Sequence, residues 1–305
     1  MGDQFRITAQ KTRQPHARAE NSATLAVLGS ARVRNPALHI AELAPLRLLH
    51  LMENPAAVSA AEARQIADAP LAGTPCPTSG TTSPVASIVE ISRAECLRRD
   101  GRFFSRAEIR RRFASLLSDP RQATAYFRLL SNGTSGQIAQ YLRDLPGFDA
   151  LPKDDARLLR DMRPHVATEA SLEDDLAAIA TRLPNCLFVS HFAAYRDDGT
   201  PLRARRNFIG LVTSVLRRLQ LPVFDPSGYV DAFGQTRAVA PGTPMFSRYV
   251  PEFERFLAEQ WMSTHLHPHL AQMPPPRSAP AQAPASRSRS LHRPQPPLAP
   301  KFALA

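Results

Sequence analysis

Apolar residues in this chain fall into two patterns: short unbroken runs, and longer stretches with a helical period. Thr24-Leu25-Ala26-Val27-Leu28 is an unbroken run that stops at Gly29-Ser30, with helix-like sequence following. A run of that length closed by glycine predicts a buried parallel strand over about 24–29. Residues 36–52 predict a short helix, a break at Pro45 and a second apolar segment. Ser59-Ala60-Ala61-Glu62 has the form of a capping box and should open a helix through Ala67. Pro70 to Pro84 is rich in Pro, Gly, Ser and Thr and predicts loop. Val85 to Ser92 is β-branched and partly alternating, a second core strand ending at Ser92.

Residues 93–182 read as mainly helical. Arg98 to Arg112 is strongly charged, and Arg110-Arg111-Arg112 fits a solvated helix face better than a phosphate contact. Ser131 to Gly136 is a polar turn leading into a helix, without the Gly-Lys-Ser/Thr ending of a phosphate-binding loop. Ser171-Leu172-Glu173-Asp174-Asp175 puts acids where a helix begins. Cys186 to His191 is a third strand, Arg205 to Leu219 an amphipathic helix, and Gln220 to Pro226 a short fourth strand ending at Asp225. Strand, helix, strand in that order is a βαβ unit with a right-handed crossover. Tyr249 to Trp261 predicts the last amphipathic helix. Asp197-Asp198-Gly199 reads as a plain turn.

Composition divides the chain further. Residues 1–22 and 273–305 are poor in apolar residues and read as a disordered basic arm and a disordered Pro/Ala/Ser/Arg tail around a domain at 23–272. The net charge is +11, and much of it lies in these ends: from Pro274 onward there are Arg277, Arg287, Arg289, Arg293 and Lys301 and no acid. The tails are suited to anionic surfaces, but nucleic acid is not the expected partner, because no aromatic residues for base stacking lie among those arginines. No apolar run is long enough for a membrane span. The polar start, Met1 to Arg6, lacks the apolar centre of a secretory signal. With three well-separated cysteines, this points to a cytoplasmic protein without a disulfide framework or zinc site. His265-Leu266-His267-Pro268-His269 has alternating imidazoles but no partner acid or cysteine nearby, so no metal is expected.

Candidate chemistry starts from Ser30. At the carboxyl end of a parallel strand it is either a nucleophile or simply the cap of the next helix. His191 ends another strand and is either a general base or a structural histidine. Asp225 either orients a base or starts a turn.

Val27-Leu28-Gly29-Ser30-Ala31-Arg32-Val33, Ile88-Val89-Glu90-Ile91-Ser92, Ser190-His191, Arg205-Arg206, Phe224-Asp225-Pro226 and Tyr249-Val250-Pro251-Glu252-Phe253 together resemble the SGNH/GDSL-type hydrolase superfamily. The similar branch is the one whose first block reads Gly-Ser-Cys-Arg, which includes GSCFA-type domains and proteins of surface-polysaccharide biosynthesis. The resemblance implies a flavodoxin-like three-layer α/β/α sandwich with a parallel central sheet, here with a long helical insert at 93–182. It implies a serine esterase or acyltransferase acting on an acylated carbohydrate or related ester. Ser30 would be the nucleophile, its own N–H an oxyanion donor, and Gly29, Arg32, Ser92, Asp225 and Arg248 oxyanion or substrate contacts. No resident cofactor is implied; coenzyme A would be the acyl donor of a transferase.

Two positions depart from that pattern. Ala31 stands where the branch has cysteine, and the Asp-x-x-His before the last helix is replaced by Met245 and Arg248. A permanently charged guanidinium cannot take a proton from serine at neutral pH. His191 is then the replacement base, or the chain is a degenerate relative that binds a ligand or partner without turnover.

Overall fold

The computed structural model describes residues 23–52, 57–69, 84–242, 246 and 248–271. The first strand, β1 (Ala23–Leu28), is buried at every position. Ser30 caps α1 (Ala31–Leu43), which leads into β2 (Leu46–His50). The capping box expected at Ser59 and Glu62 is present and opens α2 (Ala60–Asp68). The next strand is β3 (Ala86–Ile91), again buried throughout.

The stretch that follows is not wholly helical. It begins with a hairpin, β4 (Glu95–Arg99) and β5 (Arg102–Phe104), turning at Asp100 and Gly101, both at positive φ. An Asp-Gly pair favours this turn, because both central residues must enter the left-handed region. Four helices follow: α3 (Arg106–Arg112), α4 (Ala114–Leu117), α5 (Pro120–Asn132) and α6 (Ser135–Arg143). The expected helix start near Ser131–Gly136 is a second capping box, Thr134 with Gln137. Then come α7 (Lys153–Asp161) and β6 (Arg163–Val166), which pairs antiparallel with β4. These helices bury a separate cluster around Phe113, Leu117, Tyr126, Leu142 and Leu159.

The chain returns to the main sheet through α8 (Glu169–Arg182), whose cap is Thr168, so it starts before the acids at 173–175. β7 (Cys186–Ser190), α9 (Arg203–Arg218) and β8 (Val223–Phe224) form the expected βαβ unit. Two short helices, α10 (Ser227–Phe233) and α11 (Gln235–Ala238), precede α12 (Pro251–Trp261). After a π-helical turn over Met262–Leu266, α13 (His267–Ala271) closes the described chain.

Among the described residues the central sheet has five parallel strands in the order β2-β1-β3-β7-β8. That is the flavodoxin-like order, and the protein is a three-layer α/β/α sandwich. On one face Val27, Ile88 and Val189 pack with Val33, Ile40, Phe253 and Trp261 of α1 and α12. On the other, Leu28, Val89 and Phe188 pack with residues of α2, α8 and α9. Chain direction across the sheet reverses between β1 and β3, and ligands in such sheets bind outside the carboxyl ends of the strands at that crevice.

Candidate functional site

Glu90, in the last turn of the pleat of β3, is an acid in an otherwise apolar strand and is 1% exposed. Its register opposite Val189 turns it to the face covered by α1. Gly29 lets the chain cross over it. A Cβ at position 29 would lie 2.5 Å from Glu90 Cβ, and the φ of +148° is one that side chains rarely adopt. The Ser30 N–H then donates to Glu90 Oε2 at 2.5 Å. This places the carboxylate at the positive end of α1.

Arg32, the second residue of α1, completes the site. Its Nη2 makes a buried ion pair with Glu90 Oε1. Its Nη1 lies 2.7 Å from His191 Nε2 and donates to the Phe246 carbonyl at 3.0 Å. Arginine can only donate, so His191 Nε2 is an acceptor and carries no proton. The other ring nitrogen, Nδ1, donates to the Phe192 carbonyl at 3.1 Å. The hydrogen-bond network therefore assigns a neutral imidazole with its lone pair on Nε2. Burial alone would raise the Glu90 pKa; the Arg32 charge and the hydrogen bonds from Ser30 and Arg32 outweigh it and hold the carboxylate below its ordinary range.

The wall around this centre is aromatic. Phe192 packs on His191, Phe246 and Tyr249. The Tyr249 hydroxyl is pushed well above its usual pKa, first by burial, against the Arg32 charge. Arg205, in the first turn of α9, lies over the Phe246 ring with its guanidinium carbon 5.4 Å from the centroid. Burial, with the repulsion of Arg32, lowers its pKa to about 10.

The candidate residues separate into two groups. Gly29, Ser30, Arg32 and His191 come together at the β1–β3 crevice. The Ser30 hydroxyl accepts from Arg32 N at 3.3 Å as the cap of α1, and its N–H faces Glu90 rather than an open oxyanion position. Ser92 accepts the Val58 N–H at 3.3 Å and fixes the chain before α2. Asp225 accepts the N–H and hydroxyl of Ser227, which in turn takes the Ala193 N–H at 2.8 Å, tying the end of β8 to the loop after His191. Arg248 is exposed, and its charge acts on Glu254. Met245 lies outside the described residues. His265 sits against the Asn185 carbonyl and the His269 ring. Reading the sequence for site residues passed over Glu90, Arg205 and Tyr249. Glu90 had a signal: a lone carboxylate inside an apolar strand must find a buried cation.

Residues 79–264 match the family described as the TviD N-terminal domain, over half the chain. The chain belongs to the TviD N-terminal domain family. The matched stretch of this TviD-type domain contains Glu90, His191, Arg205 and Tyr249, and begins after the segment that carries Ser30 and Arg32. The chain is 26% identical over 168 residues to the Vi polysaccharide biosynthesis protein TviD of Salmonella typhi, covering 54% of this chain and 20% of that protein. The TviD-type domain thus spans about a fifth of the length of that relative. The crystal structure of LAE5, an α/β hydrolase enzyme from the metagenome of Lake Arreo in Spain, aligns with a TM-score of 0.40 at 13% identity over 80% of this chain and 96% of that one, too slight a likeness to bear on fold or activity.

Proposed function

We propose that the protein is a serine esterase or acyltransferase of the SGNH type acting on an acylated carbohydrate or a related ester. Ser30 is the nucleophile and His191 the base. The observation that carries the reading is the histidine tautomer: Nδ1 is fixed on the Phe192 carbonyl, which leaves the lone pair on Nε2, the form a general base needs. In the first step Arg32 Nη1 yields His191 Nε2 to the Ser30 hydroxyl, whose oxygen attacks the acyl carbon while its proton passes to that nitrogen. The alcohol leaves with that proton and an acyl-serine remains; water, or a sugar hydroxyl in a transferase, then releases the acyl group by the reverse transfer. Glu90 offsets the charge on Arg32, so the cation formed on His191 does not sit against an unbalanced Arg32. Membership of a family named for a polysaccharide biosynthesis protein supports a carbohydrate as the substrate.

A second reading has an observation of its own. Arg32 occupies His191 Nε2, and Glu90 occupies the Ser30 N–H. A site closed on itself in this way fits a domain that binds a carbohydrate without turning it over. Hydrolysis of p-nitrophenyl acetate at pH 7–9 separates the two. The enzyme reading predicts turnover above background that falls at least about 100-fold in both Ser30→Ala and His191→Gln. Wild-type rates equal to either variant would leave only the binding reading.

A further inference from the structure

Arg205 is a charge that no side chain among the described residues balances with an ion pair. It is a cation in the first turn of a helix, the end at which the dipole already carries positive charge. A second cation, Arg32, lies close enough to depress its pKa, and no ion pair to Arg205 is formed among the described residues. Its Nη1 is buried without a hydrogen-bond partner among them. Leaving a buried donor on a charged group unsatisfied costs the full desolvation of that N–H. By contrast Arg32 has Glu90, His191 and the Phe246 carbonyl. Phe246 lies between the two arginines, its carbonyl on Arg32 and its ring face under Arg205, so the Arg205 fork is held in place without being neutralised.

We propose that Arg205, backed by Arg32, is the binding site for an oxyanion carried by the substrate, a carboxylate or phosphate on the sugar. A planar guanidinium matches such a group in two parallel hydrogen bonds. The anion restores the balance the site lacks and satisfies the orphaned Nη1. That the anion is attached to a sugar rests on the function proposed above; the anion site does not depend on Ser30 chemistry.

The test is calorimetric titration of the full chain with glucuronate, glucose and inorganic phosphate. Wild-type protein should bind glucuronate or phosphate and bind glucose at least about tenfold more weakly. Arg205→Gln should weaken anion binding at least about tenfold, Arg205→Lys by less, and Arg206→Gln, an exposed neighbour on the same helix, not at all. Unliganded Arg205→Gln should melt no lower than wild type, since it removes an unbalanced cation; if it does not fold, Arg205→Lys decides by the same comparison. Binding of glucuronate alone identifies a carboxylate, and binding of phosphate alone a phosphate. No anion binding by wild type, or equal binding by the Arg205 variants, overturns the proposal. Ser30→Ala should bind the anion as wild type does, so loss of esterase activity and loss of the anion site are read separately.

Discussion

Glu90 and Arg32 are each costly to bury alone, and each is kept by the other. Removing one partner of such a pair leaves an uncompensated charge and costs about 3–5 kcal/mol. Glu90→Gln should therefore lower the unfolding free energy by about 3 kcal/mol at neutral pH, measured by denaturant titration. The pH dependence has a definite sign. Because the folded carboxylate is held below its ordinary 4.5, its stabilisation is full above that pH and is lost as pH falls through the lower folded value. The gap between wild type and Glu90→Gln should narrow as pH drops below 4.5; a constant or widening gap would contradict the pair's role. Gly29 belongs to the same unit. Only a residue without Cβ lets the chain pass directly over Glu90 and bring the Ser30 N–H onto its carboxylate.

At the level of elements, strands and helices with a clear period were legible and the small sheet was not. β1 and β7 are nearly continuous apolar runs, and β3 is one broken by Ser87 and Glu90, because both faces are covered by helices, and such runs announce themselves. The apolar segment after Pro45 was visible but not its pairing with β1. β4, β5 and β6 are three to five residues long and carry arginines on their exposed positions, so their strand period drowned in the helical charge pattern around them. The Asp100-Gly101 pair was the available signal. Gln65 on α2 holds this small sheet to the main domain: its side chain accepts from Phe103 N at 2.7 Å and donates to Phe103 O at 3.1 Å. Gln65→Ala should cost about 1–2 kcal/mol and speed amide exchange at Phe103, with little change in β1 and β3. Unchanged protection at Phe103 would show that the hairpin is held by its apolar side alone.

On the scale of the whole molecule, the flavodoxin-like strand order brings residues 29–32, 90, 191 and 246 to one crevice although they are up to 217 positions apart (246 minus 29). Ser30 and His191 could be read from the chain because each ends an apolar run. Glu90 and Arg205 could not be assigned in the same way, because their meaning lies in which charge each one meets across the fold. The basic arm and tail, which carry much of the net charge, lie outside the described residues. The central claim is that Ser30 is a nucleophile served by His191. Intact-mass and peptide mapping after incubation with a fluorophosphonate tests it most directly. The account predicts one adduct, on Ser30, lost in Ser30→Ala and slowed in His191→Gln; an unmodified Ser30 after prolonged exposure of folded protein would contradict it.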